Sequence, residues 1–153
     1  MTPYLFFDGT CAEAMDFYAA VFGAEPADVM RFHEAPQGPG EGTGADPDRD
    51  AGRVMYAQLK VGTMILQGSD LAHGVSGPAA EARPASAFAV MHRVDDVASG
   101  EAVFDRLAEG GTVLTPYGRT FWAAGFGMVQ DRFGVQWIVS TPGTPLDQVA
   151  PAA

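Results

Sequence analysis

The sequence predicts an α+β protein made of two copies of one module, in which a strand and a helix precede three further strands (βαβββ). Two amphipathic helical stripes occur, and each follows a short apolar run and precedes three strand-like runs. Because this order of elements is written twice, an internal duplication determines the expected architecture. The 153 residues, 47% of them hydrophobic and 18% charged, suffice for a packed core.

The first module is predicted to begin with a strand at residues 4–7, followed by a helix. Thr10 and Glu13 form a predicted capping box at the start of this helix, and Gly23 is a suitable stop. The apolar face of the helix recurs at helical spacing and consists of Ala14, Phe17, Tyr18, Val21 and Phe22. The three following strands are expected at residues 29–33, 54–61 and 64–67.

The second module is predicted to begin with a strand at residues 88–94. The stripe of its helix ends at Gly110 and Gly111 and consists of Val103, Phe104, Leu107 and Ala108. The three following strands are expected at residues 113–116, 122–128 and 135–140. Asp131 to Gly134 is expected to form a tight turn between the last two strands.

Domain boundaries follow from this order and from composition. The first module spans residues 1–70 and contains a Gly- and Pro-rich segment, 36–52, that is typical of a flexible surface loop. A connector is expected at 71–85, the second module at 86–140 and a frayed tail at 141–153.

Charge and composition exclude several kinds of partner. A net charge of -10 repels phosphate backbones and anionic lipid, so we expect neither nucleic acid nor a membrane surface as a partner. The sequence contains no apolar run long enough for a membrane helix and no basic leader, which favours a cytoplasmic protein. Cys11 is the only cysteine, so an intrachain disulfide is excluded, and we interpret it as a semi-buried apolar side chain.

Local motifs provide little support for a metal site. The acidic run 46–52 resembles the start of a calcium loop, but Ala51 and Ala57 stand where that loop needs Gly and Glu, so a solvated loop is expected. His33, His73 and His92 have no local ligand spacing, although distant strands can assemble a site.

The most distinctive segment is aromatic and contains Phe121, Trp122, Phe126, Phe133 and Trp137. These rings are interpreted either as core or, for some of them, as the wall of a ligand pocket, because such pockets are mostly apolar.

Three stretches, TPYLFFDGTCAEAMDFYAAVFGAE, VMYAQLKVGTMILQGSD and TFWAAGFGMVQDRFGVQWIV, together resemble the PhnB-like branch of the glyoxalase/bleomycin-resistance/extradiol-dioxygenase (vicinal oxygen chelate) superfamily. The resemblance implies curved mixed sheets, an open glyoxalase-like cup for a small ligand, and a homodimer. In metal-dependent members, His, Glu or Gln on the first and last strand of each module bind the ion.

The corresponding positions in this sequence are Pro3, Leu66, Ala89 and Ile138, of which none offers a side-chain donor, and Gln67 lies one residue from the second. The resemblance therefore implies no metal and no other cofactor here. The alternative is a metal-dependent enzyme of lyase or dioxygenase type whose ligands come from elsewhere, such as His92, His33 or Glu34.

The sequence also departs from its own branch. Tyr56-Ala57-Gln58 replaces His-Ala-Glu or His-Ala-Asn, Arg119 replaces a Glu, and Arg93 replaces an acidic residue. Strand alternation places Tyr56 and Gln58 on one face, opposite the apolar set of Met55, Ala57 and Leu59 that is expected to pack on the helix.

The candidate ligand-binding residues are Tyr56, Gln58, Arg93, Arg119, Thr120, Phe121 and Trp122. The polar ones would orient a ligand, the arginines would favour an anionic group and the aromatic ones would provide an apolar wall. The predicted function is binding of a small polar or anionic molecule in this cup. Whether the protein catalyses a reaction stays open; Tyr56 is the only candidate general acid, and a regulatory dimer without a pocket is a third possibility.

Overall fold

The computed structural model describes residues 2–34, 49–72 and 88–143. The chain divides into two compact units, Met1–Pro84 (unit 1) and Ala85–Ala153 (unit 2).

Unit 1 contains one helix and a four-stranded sheet, sheet 1. Its elements in chain order are β1 (Tyr4–Phe7), α1 (Cys11–Phe22), β2 (Asp28–Arg31), a single 3-10 turn (Phe32–Glu34), β3 (Val54–Val61) and β4 (Met64–Asp70). The spatial order of the strands is β1-β4-β3-β2. β1 runs parallel to β4, and the other neighbours are antiparallel.

Unit 2 repeats this arrangement in sheet 2. Its elements are β5 (Val90–Arg93), α2 (Val97–Ala108), β6 (Thr112–Gly118), β7 (Ala123–Gln130) and β8 (Gln136–Pro142). The order β5-β8-β7-β6, with β5 parallel to β8, matches sheet 1 strand for strand. The predicted α+β fold of two βαβββ modules is confirmed.

The core of unit 1 lies between sheet 1 and α1. Side chains alternate across a strand, so the buried residues of β1, β3 and β4 share the face that α1 covers. Gly68 shows how closely the helix approaches, since a Cβ there would overlap the methyl group of Met15. The opposite face, here called helix-free face 1, carries the intervening residues, among them Tyr4, Phe6, Tyr56, Gln58 and Gln67.

The core of unit 2 lies between sheet 2 and α2. The buried Val129, Trp137 and Val139 face the helix, which contributes Phe104 and Leu107. Gly125 makes room for the ring of Tyr117, whose hydroxyl lies 2.6 Å from the Thr141 Oγ1. The opposite face, helix-free face 2, carries Met91, Arg93, Phe126, Met128, Ile138 and Ser140.

The start of α1 differs from the prediction. Among the described residues, the Thr10 side chain makes no capping hydrogen bond, so the predicted capping box is wrong. Instead Asp70, at the end of β4, accepts hydrogen bonds from the backbone N–H groups of Cys11 (3.0 Å) and Val54 (2.9 Å). A carboxylate 59 residues away thus replaces the local cap. The predicted stop at Gly23 is confirmed by its left-handed conformation, with φ 62°.

Several predicted boundaries shift. β8 runs to Pro142, and Thr141 is buried, so these residues belong to the sheet and not to the tail predicted from residue 141. Residues 144–153 lie outside the described residues, as do 36–48 of the predicted loop, 73–85 of the connector and His73. At the described end of the loop, Asp50 is buried beside Arg53, so this part is packed and not solvated.

Candidate functional site

Three polar side chains form a hydrogen-bonded cluster on helix-free face 1, here called the polar cluster. Tyr56 and Gln58 come from β3, and Gln67 lies directly opposite Gln58 on β4. The Tyr56 hydroxyl donates to the Gln58 Oε1 (2.9 Å) and accepts from the Gln67 Nε2 (2.7 Å). The two amides also approach each other, with 3.4 Å between the Gln67 Nε2 and the Gln58 Oε1. The predicted orientation of Tyr56 and Gln58, away from the helix, is therefore observed.

Aromatic rings border this cluster on the side of β1. Tyr4 pairs with Gln67 and Phe6 with Ser69, so both rings lie on helix-free face 1. The rings contact each other, with 5.1 Å between centroids, and their residues are 39% and 59% exposed. On the other side, Asp28 and Met30 of β2 pair with Gln58 and Tyr56. The polar cluster is thus bordered by aromatic side chains on β1 and by one acidic and one apolar side chain on β2.

Helix-free face 2 carries a cationic and aromatic row. Arg93 of β5 and Phe126 of β7 both pair with Ser140 of β8, so the three residues lie side by side across the sheet. Arg93 is exposed and forms no ion pair with any residue that the structure describes. Strands are about 4.8 Å apart, so roughly 10 Å separates the Cα atoms of Arg93 and Phe126.

Phe126 is joined by two further rings from the preceding turn. Trp122 meets it edge-on, with 5.6 Å between centroids, and Phe121 meets Trp122 at 4.5 Å. Phe121 is 69% exposed and Trp122 is 38% exposed, whereas Phe133 and Trp137 are buried. The aromatic segment therefore divides: its last two rings are core and its first two are surface.

Thr120 and Arg119 lie in the loop between β6 and β7 and not on a strand of helix-free face 2. The Thr120 Oγ1 accepts a hydrogen bond from the Ala123 N–H (3.1 Å), and the Thr120 N–H donates to the Ala123 carbonyl (3.0 Å). Thr120 therefore closes the turn that presents Phe121 and Trp122. Arg119 is exposed in the loop after β6.

The positions implied for a divalent metal do not supply a fitting donor set. Leu66 is buried against α1, and its neighbour Gln67 is the residue that lies on the helix-free face. Ile138, at the equivalent place in sheet 2, is apolar, as are Pro3 and Ala89. A single amide oxygen does not hold such an ion.

The alternative ligands are also dispersed. His33 bonds through Nδ1 to the Ala51 carbonyl, and Glu34 accepts from the Arg31 N–H (2.7 Å). His92 pairs with the buried Val139 and lies on the helix side, where burial lowers its pKa. Within residues 2–34, 49–72 and 88–143, no group of three or more His, Cys, Asp or Glu side chains could hold a metal.

Cys11 is fully buried at the start of α1. Burial, reinforced by the charge of Asp70, raises the pKa of its thiol from 9.0 to about 12. The interpretation of Cys11 as an apolar side chain and not a reactive thiol is consistent with this environment.

Comparison with known proteins agrees with this geometry. Residues 2–139 match the model of the Glyoxalase/Bleomycin resistance protein/Dioxygenase superfamily. The chain belongs to this superfamily. The match spans both βαβββ units, and the resemblance inferred from the sequence is confirmed.

Individual relatives of this superfamily cover nearly the whole chain. Protein YjdN of Escherichia coli (strain K12) is 31% identical over 143 residues, covering 92% of this chain and 93% of that protein. The crystal structure of protein PA1353 from Pseudomonas aeruginosa is 36% identical with a TM-score of 0.75, covering 93% of this chain and 96% of that one. A Bacillus cereus structure, a putative 3-demethylubiquinone-9 3-methyltransferase named PhnB protein, shares the fold at 23% identity and a TM-score of 0.64, covering 92% and 98% of the two chains.

Five of the seven predicted site residues thus fall into two groups, and the other two, Arg119 and Thr120, lie between β6 and β7. Tyr56 and Gln58 meet in unit 1, while Arg93, Phe121 and Trp122 lie in unit 2 on or beside helix-free face 2. Tyr4, Phe6 and Gln67 were not among the predicted ligand-binding residues, although they share helix-free face 1 with Tyr56 and Gln58. Since side chains alternate along a strand, the residue after the buried Leu66 is expected on the helix-free face, and that residue is Gln67.

Proposed function

We propose that the protein binds a small polar or anionic molecule through the helix-free faces of its two sheets, without the divalent metal of its metal-dependent relatives. One observation carries the proposal. On the helix-free faces, side chains whose hydrogen-bonding or charge capacity the described residues do not use up lie beside exposed aromatic rings. Ligand sites combine these two features, an apolar wall and a few polar groups that set orientation.

The polar side chains are held in place before any ligand arrives. In the polar cluster, each of the three side chains has at least one partner within the cluster, which restricts its rotamers. Arg93, in contrast, forms no ion pair with a described residue, and its guanidinium could recognise a ligand carboxylate or phosphate through paired N–H groups. These residues support binding and orientation of a ligand.

Metal independence is supported by the donor chemistry of the implied positions. Pro, Leu, Ala and Ile side chains carry no donor, and the one amide nearby, Gln67, is already bonded to Tyr56.

A fragment screen followed by two-dimensional amide NMR tests the proposal. We expect small carboxylates and neutral amides to perturb residues of β3, β4, β5 and β7, and we expect the same perturbations after treatment with a chelator. Perturbations confined to other surfaces would contradict the proposed faces. Binding that is lost on chelation and restored by Zn, Ni, Mn or Fe would contradict metal independence.

We also propose that the protein is a cytoplasmic homodimer. Exposed apolar side chains such as Met64, Phe88 and Leu114 provide surface that a second copy could cover. No helix in the described parts of the chain is long and apolar enough to span a membrane. Sedimentation equilibrium tests the dimer, and a mass of 16.1 kDa at micromolar concentration would contradict it.

A further inference from the structure

We infer that the polar cluster recognises a neutral group that presents one hydrogen-bond donor and one acceptor on the same edge, as a lactam in a planar ring or a primary carboxamide does. The inference rests on the proposed function, because it names the ligand chemistry of helix-free face 1. It is carried by the hydrogen bonds within the cluster, by the charges around it and by the rings that border it.

The hydrogen-bond inventory of the cluster leaves one donor group and one acceptor unused. The Tyr56 hydroxyl donates its one hydrogen to Gln58 and accepts from Gln67, so it has no hydrogen left to donate to a ligand. The Gln67 Nε2 uses its hydrogens toward Tyr56 and Gln58, which leaves the Gln67 Oε1 unused. The Gln58 Oε1 accepts from both neighbours, which leaves the Gln58 Nε2 unused. No described residue bonds to either remaining atom.

This result does not depend on the direction of the chain of hydrogen bonds. If both amides turn over, Gln58 donates to Tyr56 and Tyr56 donates to Gln67. The unused atoms are then the Gln58 Oε1 and the Gln67 Nε2, again one acceptor and one donor group. Because the two residues are direct neighbours across the strands, both unused atoms belong to adjacent side chains on one face. A carboxylate, which only accepts, would satisfy one of them and leave the other without a partner.

The charges around the cluster also favour a neutral ligand. Asp28 pairs with Gln58, and Lys60 lies two residues further along the same face of β3. These two residues together contribute no net charge, whereas on helix-free face 2 the cation Arg93 pairs across the strands with the neutral Ser140. An anion therefore gains little at the polar cluster.

The rings beside the cluster favour a planar ligand. Tyr4 pairs directly with Gln67, and the residues Tyr4 and Phe6 leave apolar surface exposed on the same face as Gln67. A planar ring that carries its donor and acceptor on one edge can contact these rings while its edge meets Gln58 and Gln67.

The test uses 2-pyridone, whose ring N–H and carbonyl share one edge, and two probes that lack the donor, N-methyl-2-pyridone and benzoate. Affinities are measured by NMR titration of the full-length protein. We expect 2-pyridone to perturb β3 and β4 and to bind about tenfold more tightly than N-methyl-2-pyridone there, the effect of one hydrogen bond. Benzoate is expected to perturb residues around Arg93 instead.

Two variants connect the effect to the cluster. Gln58→Met and Gln67→Met keep side-chain length but remove the amide, and each is expected to weaken 2-pyridone binding about tenfold. N-methyl-2-pyridone keeps its carbonyl, so its affinity should fall only in the variant that removes the amide donating to that carbonyl and should stay within twofold in the other. Gln136→Met is the matched control, because Gln136 lies on the helix-free side of β8 in the other unit. Thermal unfolding of each variant confirms that it is folded.

The failures of the two proposals are distinguishable. If N-methyl-2-pyridone or benzoate binds helix-free face 1 as tightly as 2-pyridone, the donor–acceptor inference is overturned and the proposed binding function stands. If 2-pyridone leaves β3 and β4 unperturbed, the inference is overturned as well. If no small molecule perturbs either helix-free face, the proposed function fails with it.

Discussion

On the helix-free faces, equivalent positions of the two sheets carry side chains of different chemical character. Beside the last strand of unit 1, Tyr4 pairs with Gln67, whereas in unit 2 the corresponding pair is Met91 and Ile138. Two residues further on, Phe6 pairs with Ser69 and Arg93 with Ser140. The serine is common to both sheets, but an aromatic ring in one is replaced by a guanidinium in the other.

The helix sides of the two sheets diverge less. Both units place apolar residues of the outer and central strands against one helix, and in both a polar residue near the end of the last strand, Asp70 or Thr141, is buried close to the start of that helix. Packing constrains the covered face, because a buried side chain must fit its neighbours. The helix-free faces carry no such constraint, so duplication provided two similar frames on which different ligand contacts could develop.

The largest expected effect concerns the cation of helix-free face 2. Arg93→Met should weaken benzoate binding tenfold or more, because a charge-assisted hydrogen bond contributes about 1.5–3 kcal/mol. Titration by NMR or calorimetry measures this change. Lys60→Met removes a cation from helix-free face 1 and should leave benzoate affinity unchanged; an equal loss in both variants would erase the proposed difference between the faces.

The aromatic trio of Phe121, Trp122 and Phe126 should have the next largest effect. Trp122→Ala removes the ring that joins the other two, and we expect benzoate affinity to fall about fivefold, since one aromatic contact contributes about 1 kcal/mol. The same titration measures it. Phe6→Ala, an exposed ring of the other sheet, is the control, and a loss of benzoate binding there would contradict the assignment.

A smaller effect is expected within the polar cluster. Tyr56→Phe keeps the ring but removes the hydroxyl that links Gln58 to Gln67, so 2-pyridone binding should fall about threefold as the amides lose their fixed orientation. Tyr4→Phe is the matched control, because no described residue bonds to the Tyr4 hydroxyl. Unchanged affinity in Tyr56→Phe would show that the hydroxyl does not orient the amides.

The smallest effect on binding is expected at Thr120. Thr120→Val removes the acceptor of the Ala123 N–H, so the free energy of unfolding should fall by about 1 kcal/mol while benzoate affinity stays within twofold. Chemical denaturation and titration of the same variant separate the two. Thr112→Val, at the exposed start of β6, provides the comparison for an unbonded threonine. A tenfold loss of affinity at Thr120 would instead make its hydroxyl a ligand contact.

Local patterns predicted the fold well because the hydrophobic periodicity of a few neighbouring residues identifies each helix or strand. The strands at Tyr4–Phe7 and Val54–Val61 were predicted with the observed bounds, and alternation placed Tyr56 and Gln58 on the correct face. Contacts between residues far apart in the chain were not predictable in this way, and Asp70, which caps α1 from 59 residues away, is the example.

Thr120, in contrast, makes a hydrogen bond within its own turn. Its predicted part in ligand orientation came from its neighbours in the aromatic segment, yet its hydroxyl oxygen bonds only three residues along the chain. Threonine commonly closes turns in this way, so the local interpretation was available from the sequence.

The buried cysteine has a practical consequence for studying both faces. Cys11 is the only thiol of the chain, and burial raises its pKa to about 12. Because maleimides react with the thiolate, maleimide dyes should not label the unmodified protein at neutral pH. Phe6→Cys or Met91→Cys would then create a single labelling point on one chosen sheet, and a fluorophore attached there would report ligand arrival at that sheet alone.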